Sequence, residues 1–566
     1  MKLLLKNGLV INVFTGEIEP QNILIEEGII LGVGDYDDAD ADVTEDLEGR
    51  YVCPGFIDGH IHIESTMLLP HEFAKAAIIH GTTAIVADPH EIANVCGTDG
   101  LRFMLKASEN IPMTVYMTLP SCVPSTPFDE AGAVLDAEDL LSFYRYPRVI
   151  GLGEMMNYPG VLDEDEGVMR KIRDAHEAGR IVNGHAPMLT GKELDKYISA
   201  GINDDHECST AEEAIERIRK GQWVMIREGT AARNLDALLP LFEPTYSHRC
   251  ILVTDDRHPA DLLENGHIDS IIRKASEAGK SPVTGIQMAT IQAAQCFGLE
   301  GVGAIAPGYS ADILVLDSLN KMLISDVYYH GRKAAENGIL LPFVKPDVPK
   351  PLKNSVLSSF RMSDVRERDF RLPRKKGQCR VIGLVEGQLI TEDLILDIDC
   401  TDGSGIDIER DILKLAVIER HKNTGHAGVG FIHGIGMKSG AIASSVSHDS
   451  HNLIVIGTNE KDMAFAANRI REAGGGNVVV KDGRVIAEMP LPIAGLMTNV
   501  SAEEAAKQNA AVRNAVYDLG VPKNIEPFMN MAFVSLPVIP HLKMTTLGLV
   551  DVDKQELVPL FVNEDE

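Results

Sequence analysis

The chain has 566 residues, 45% of them hydrophobic and 24% charged, the balance of a soluble globular protein and not of a disordered or fibrous one. At roughly 150 residues per domain it holds about three or four domains. Its 53 basic and 83 acidic residues leave a net charge of −30 at pH 7, which repels nucleic-acid phosphates and anionic lipid, so neither nucleic acid nor membrane is expected as a partner.

The first 52 residues alternate like strands, apolar-rich at Leu3–Leu9 and Asn22–Ile30, with Glu26-Glu27-Gly28 as a turn. A similar pattern returns at Gly308–Leu340. Residues 1–52 and 301–345 are therefore expected to form one small composite β-sandwich domain, interrupted by a long middle. Residues 53–300 alternate short β-type runs with amphipathic stretches. The strand candidates are Phe56–His60, Thr83–Ala87, Met113–Thr118, Val149–Gly153, Ile181–Gly184, Ile202–Asp205, Trp223–Arg227 and Ile251–Thr254. Helical patterns lie between them, among them Glu72–His80, Glu166–Ala178, Ala211–Lys220 and Ala231–Leu241. Eight strand–helix units in about 250 residues predict an α/β fold built on a (β/α)8 TIM-like barrel. A doubly wound sheet uses the same alternation but does not readily explain where the polar residues fall. Pro346, Pro349, Pro351 and Pro373 among many charges mark 346–375 as a linker. Residues 376–566 mix strands and helices as a C-terminal α/β (α+β) domain, with Lys481-Asp482-Gly483-Arg484 as a tight hairpin turn.

Eight cysteines are scattered with no C-x-x-C pair, so no disulfide framework is expected and a reducing compartment is. The apolar run at the N-terminus is too short for a signal peptide, and no run of about 18 apolar residues predicts a membrane span. The expectation is a cytoplasmic enzyme.

The chemistry lies at the strand ends. His60-Ile61-His62 follows the first barrel strand, and residues i and i+2 on extended backbone point to one side. Alone, that pair reads equally as two polar strand-end histidines. Glu154 ends the fourth strand, His185 the fifth, His206 the sixth and Asp255 the eighth. In a barrel these ends converge on one mouth, where active sites sit. Mixed nitrogen and oxygen donors suit Zn, Fe or Mn divalent ions. Such a cation lowers the pKa of water toward about 7, and Asp255 is placed to accept the proton as general base.

The segments Pro54-Gly55-Phe56-Ile57-Asp58-Gly59-His60-Ile61-His62 and Thr254-Asp255, with the split β domain, resemble the metal-dependent amidohydrolase superfamily. Asp88-Pro89-His90-Glu91, Gly153-Glu154-Met155-Met156-Asn157, Asn183-Gly184-His185-Ala186-Pro187, Gly425-His426-Ala427-Gly428-Val429-Gly430 and Ser447-His448-Asp449-Ser450-His451-Asn452 resemble its adenine deaminases. The resemblance implies hydrolysis of adenine, as a small-molecule substrate, to hypoxanthine and ammonia through a metal-activated hydroxide at C6, and a place in purine salvage or adenine catabolism. It implies two divalent ions per subunit, Mn2+ or Fe2+ before Zn2+, and a homo-oligomer, expected to be a dimer. His60, His62 and Asp255 would hold one ion, His185 and His206 the other, with Glu154 between; in a single-metal site Glu154 becomes a proton donor or a structural residue.

A ring nitrogen of the substrate also needs a proton, for which Glu91 or His90 is the candidate; the alternative is that they cap the following helix. Arg257 and His258 are candidates for substrate contact or loop ordering, and Lys438-Ser439-Gly440 for binding a purine edge, with Ser439 as the donor. The five histidines between His421 and His451 match no metal signature and read as structural. Gly474-Gly475-Gly476 lacks phosphate-loop spacing, and Trp223 reads as packing. The competing enzyme reading is cyclic-amide hydrolysis of the dihydropyrimidinase or imidazolone type. A non-catalytic scaffold would be expected to lose ligands, whereas all six positions are filled.

Overall fold

The computed structural model describes residues 2–230 and 232–562. Strands from both ends of the barrel segment join in one nine-stranded sheet. Tyr51–Pro54 pairs in parallel with Lys2–Ile11 and antiparallel with Ile313–Ser318, so the two halves of the composite domain meet side by side. Alternate apolar residues bury on one face as the period of two requires: Leu3, Leu5, Ile23, Ile25, Val52, Ile313 and Val315 form its core. These strands hydrogen-bond as one continuous sheet.

The middle segment carries the eight expected strands. Ile181–Gly184, Val149–Met155, Thr114–Leu119, Thr82–Ala87 and Phe56–Ile61 lie in one parallel sheet; Asp204–Asp205, Trp223–Arg227 and Cys250–Val253 lie in a second. The seams between the two sheets are closed by backbone bonds. On one side Asp255 N donates to His60 O at 2.9 Å, and on the other Asn203 N donates to Val182 O at 2.8 Å. Inside, Ile57, Val86, Ile150, Trp223, Met225, Ile251 and Val253 pack together, the filled interior of a barrel; Trp223 is packing, as read. Helices follow at Pro70–Ile78, Glu166–Glu177 and Ala211–Arg219. The fourth expected helix is shorter, Leu235–Leu238 running into a 3-10 turn at Leu239–Phe242, and Ala231, where the sequence begins it, lies outside the described residues.

Residues 346–375 are not bare linker. Lys350–Leu357 is helical, because Pro351 falls in the first turn, where a missing N–H costs nothing. The C-terminal part contains an eight-stranded sheet, a three-stranded sheet at Leu542–Val558, and the helices Glu460–Ala473, Ala502–Asp518 and Pro527–Phe533. Lys481 pairs with Arg484 across the predicted hairpin, with Asp482 and Gly483 at φ 53° and 69°, both positive as this turn demands. One continuous core runs from Ile61, Met67 and Ile92 of the barrel to Ile435, Leu496 and Val512 of the C-terminal part, and Thr498 N donates to Met67 O at 2.8 Å across the junction. Among the described residues no helix is long and apolar enough to cross a membrane, and all eight cysteines are free.

Candidate metal centre

The strand ends deliver their polar residues to one rim. His60 and His62 come from the first strand, Glu154 from the fourth, His185 and His206 from just past the fifth and sixth, and Asp255 from just past the eighth. The frame beneath is fixed by buried carboxylates. Asp58 Oδ1 accepts from His60 N at 3.2 Å and Thr254 N at 3.1 Å, tying the first strand to the eighth. Asp88 Oδ2 accepts from Glu154 N at 2.9 Å. That approach needs Gly153, since a Cβ there would lie 2.1 Å from Asp88 Oδ2.

His62 Nε2 lies 3.2 Å from Asp255 Oδ1 and 3.3 Å from Glu154 Oε1. Its Nδ1 faces Asp88 O at 2.9 Å, a carbonyl that can only accept, so Nδ1 carries a proton and Nε2 is the nitrogen left to face the carboxylates. Glu154 Oε2 lies 2.7 Å from His185 Nδ1 and 3.2 Å from His206 Nε2. Glu154 thus presents one oxygen to His62 and the other to His185 and His206. His60 Nε2 is buried without a hydrogen-bond partner, 3.8 Å from Asp255 Oδ1 and 4.0 Å from Glu154 Oε1. Those gaps are too long for hydrogen bonds but suit two donors that each lie roughly 2.0–2.2 Å from a shared ion. The ligand atoms of His60, His62 and Asp255 lie within 4.8 Å of one another, as do those of His60, Glu154 and His206. The donor set fits divalent cations.

Electrostatics agree with that reading. Burial opposes charge on Asp255, but Arg227 and His62 hold its carboxyl well below the usual range. Burial likewise opposes charge on Glu154, and His185, His206 and His62 hold it well below its ordinary value. Burial and the neighbouring His206 and His62 push His60 down to about 4, leaving a neutral ring.

Sequence reasoning missed Arg227 and Glu207. Arg227 ends the seventh strand, and its Nη1 lies 2.6 Å from both Asp255 Oδ2 and Glu207 Oε1. The rule that found the other ligands, a polar residue closing a barrel strand, also points to it. Two further carboxylates stand behind the rim: Ser65 Oγ bridges Glu91 Oε1 at 2.9 Å and Asp256 Oδ1 at 2.5 Å.

A cavity of about 370 Å3 opens from the rim. His62, His90, Glu91, Glu154, His185, His206 and Asp255 line its floor, while Leu389, Ile390, His448, Asp449, Phe533 and Ile539 of the C-terminal part close over it. His90 and Glu91 open the helix His90–Ala107 and also face this space. Arg257 and His258 do not line it. Arg257 braces loops, donating to Glu228 O at 2.9 Å and Gly266 O at 2.7 Å, and His258 precedes the helix Pro259–Asn265 and faces a separate small hole beside Asp256. Ser439 is not at the cavity either. Its loop is drawn to the end of a distant helix by Lys438 N donating to Leu519 O at 2.8 Å, while Gly434 and Gly436 give their N–H groups to Asp411. Of the C-terminal histidines, His421 bonds Ser450 O, His426 faces Glu130, and His433 faces Asp411 O; His448 and His451 approach Glu91.

A strand-end cluster of four histidines and two carboxylates on a parallel barrel defines an amidohydrolase, and residues 51–345 match the amidohydrolase family. Residues 388–556 match the adenine deaminase C-terminal domain. The chain is 48% identical to adenine deaminase 2 of Carboxydothermus hydrogenoformans over 99% of its length and 96% of that protein's. It is 44% identical to the adenine deaminase of Desulfatibacillum aliphaticivorans over 99% and 97%, and 44% identical to that of Geobacillus kaustophilus over 99% and 96%. The chain belongs to the adenine deaminase family. Among solved structures, enamidase aligns at 19% identity over 60% of this chain and 97% of its own, with a TM-score of 0.47.

Proposed function

We propose that the chain hydrolyses adenine to hypoxanthine and ammonia at the rim of a (β/α)8 barrel spanning residues 53–300. The composite domain of 1–52 and 301–345 closes the barrel's flank, and residues 376–566 roof the site. The observation that carries the reading is the cluster itself, with Glu154 facing histidines on both sides, together with full-length likeness to adenine deaminases. His60, His62 and Asp255 would hold one divalent ion and His185 and His206 a second, with Glu154 shared; Mn2+ or Fe2+ is favoured over Zn2+. Bound there, the ions supply Lewis acidity that makes hydroxide available near neutral pH.

The chain's own residues do the rest. Asp255 Oδ1 takes the proton released as water adds to C6, and Arg227 on Oδ2 keeps that carboxylate ionised beforehand. Burial raises Glu91, with His448 opposing and Asp256 adding to the rise, the direction that favours the protonated carboxyl needed to give the ring nitrogen a proton as negative charge builds there. Asp255 then returns its proton to the departing amine, which leaves as ammonia. Each proton is accounted for: one from water, one lent by Glu91 and recovered as the C6 carbonyl forms.

The test is Mn-loaded protein with adenine, a dihydropyrimidine and a hydantoin. Ammonia release with loss of the adenine absorption band, and no ring-opened product from the other two, is expected. Ring opening without adenine turnover would establish the cyclic-amide reading instead.

A further inference from the structure

Beyond the cation ligands, the cavity holds polar groups with nothing to bond. His90 Nδ1, Glu91 Oε2, Arg227 Nε and Asp449 Oδ2 are buried, line it, and lack partners. Three of these belong to residues that already have work at the rim. Asp449 does not. It enters from the C-terminal part, is 3% exposed, and its Oδ1 comes no closer than 3.9 Å to His90 Nε2 and His448 Nδ1. A buried acceptor without a donor is costly, so Asp449 Oδ2 at the wall of a substrate cavity points to a donor brought by the ligand.

Its position says which donor. The His90 ring separates Asp449 from the cluster, with Nδ1 3.5 Å from Glu154 Oε1 and Nε2 3.9 Å from Asp449 Oδ1. Asp449 therefore stands one imidazole beyond the reacting end. A purine with C6 at the cluster carries N9 on the far side of its five-membered ring, while N7 stays on the C6 edge. Purine N1 and N3 only accept hydrogen bonds, and a carboxylate also only accepts. The ring proton of the neutral base, on N9 in its common tautomer, is the donor left over at that far edge.

We propose that Asp449 reads that imidazole-edge N–H and thereby restricts the site to free purine bases, since a substituent on N9, as in a nucleoside, removes the proton. The inference rests on the adenine reading above and assigns the selectivity of the same site to a residue outside the barrel.

The experiment compares adenine with 9-methyladenine as substrates for the Mn-loaded wild type, Asp449→Asn and Asp449→Ala, with metal content measured on each. A site built around a substrate N–H rejects the analogue lacking it strongly, so the wild type should prefer adenine by at least about 100-fold in kcat/KM. Asp449→Ala should lose about 100-fold on adenine, keep its 9-methyladenine rate, and keep its metal content. Asp449→Asn has the same volume and a neutral acceptor, which bonds about half as strongly, so its preference should fall between the two. Undiminished preference for adenine in Asp449→Asn, with metal content intact, overturns the proposal, because shape alone would then account for the selectivity; this variant decides if the alanine variant does not fold. Absence of adenine turnover by the wild type overturns the functional reading itself and is a different result.

Discussion

Arg227 offers the sharpest test of how the site is held together. One guanidinium serves two carboxylates, with Nη1 2.6 Å from Asp255 Oδ2 and from Glu207 Oε1, and Nη2 3.0 Å from Glu207 Oε2. The three side chains are 15%, 7% and 14% exposed, so solvent screens them little. Replacing Arg227 by Met removes the cation that the two buried carboxylates share, a loss of about 3–5 kcal/mol. The pH dependence fixes the cause. Burial opposes charge on both acids, yet Arg227 first among the favourable partners holds each of them low. Wild-type protein therefore draws stability from them above the unfolded carboxyl range and loses it in acid. In Arg227→Met the histidines that remain hold the folded carboxyls less far down. The deficit against wild type should be largest near pH 8 and shrink toward about pH 3 as the acids protonate. Chemical denaturation of both proteins at the two pH values reads this directly, and the acid limb of kcat/KM should move to higher pH in the variant. Arg227→Lys should recover only part, because an ammonium cannot fork across both acids. Equal stability at the higher pH, or a gap that widens in acid, would refute the account.

Two further outcomes follow from the same geometry. Glu154→Gln keeps the shape but removes the charge shared between His62 on one side and His185 and His206 on the other; metal analysis of dialysed protein should fall from about two ions per chain toward one or none, with adenine turnover lost. Lys543 is fully buried and donates to Leu389 O and Phe533 O, both at 3.1 Å, and burial pushes its amine down to about 7 from 10.5. The unfolded chain then binds more protons than the folded one between those values, so wild-type stability relative to Lys543→Met should rise with pH across that window. A pH-independent difference in denaturation midpoint would show that the amine is not dehydrated as described.

Which parts of this were readable in the sequence follows from how local their causes are. A parallel strand buried on both faces is a short apolar run, and Thr82–Ala87 and Cys250–Val253 look like that without context. The ligands were readable because a strand's last polar residue has one place to go in a barrel. The same logic reaches Arg227, the last residue of the seventh strand. The helix Lys350–Leu357 was hidden by prolines at its start, where they are compatible with helix. The roof was not readable at all. Leu389, Asp449 and Phe533 lie far apart in the chain, and their meeting depends on how strands and helices of the C-terminal part pack. Ser439 fell on the wrong side for a related reason. Its loop is shaped by glycines at 434 and 436, whose positive φ angles of 96° and 77° serve a turn anchored on Asp411.

The roof also gives a physical reason for joining a barrel that carries all six candidate ligands to so large a third part. A strand-end cluster alone opens onto water, and charge placed there is screened. Here Leu389, Ile390, Phe533 and Ile539 close over the floor, and the His448 ring stacks on Phe533 at 4.4 Å. That closure keeps His60, Glu154 and Asp255 almost fully buried, the condition under which Arg227 and the histidines shift the carboxyls so far. Because the core is continuous across the junction, the roof cannot swing away without exposing Met67 and Ile92 on one side and Leu496 and Val512 on the other. Lining segments 388–390 and 536–540 are held by neither helix nor strand. With Asp449 assigned as proposed, selectivity and reactivity arise from different parts of the sequence: the barrel sets the protonation states at the floor, and the C-terminal wall sets which base fits above it.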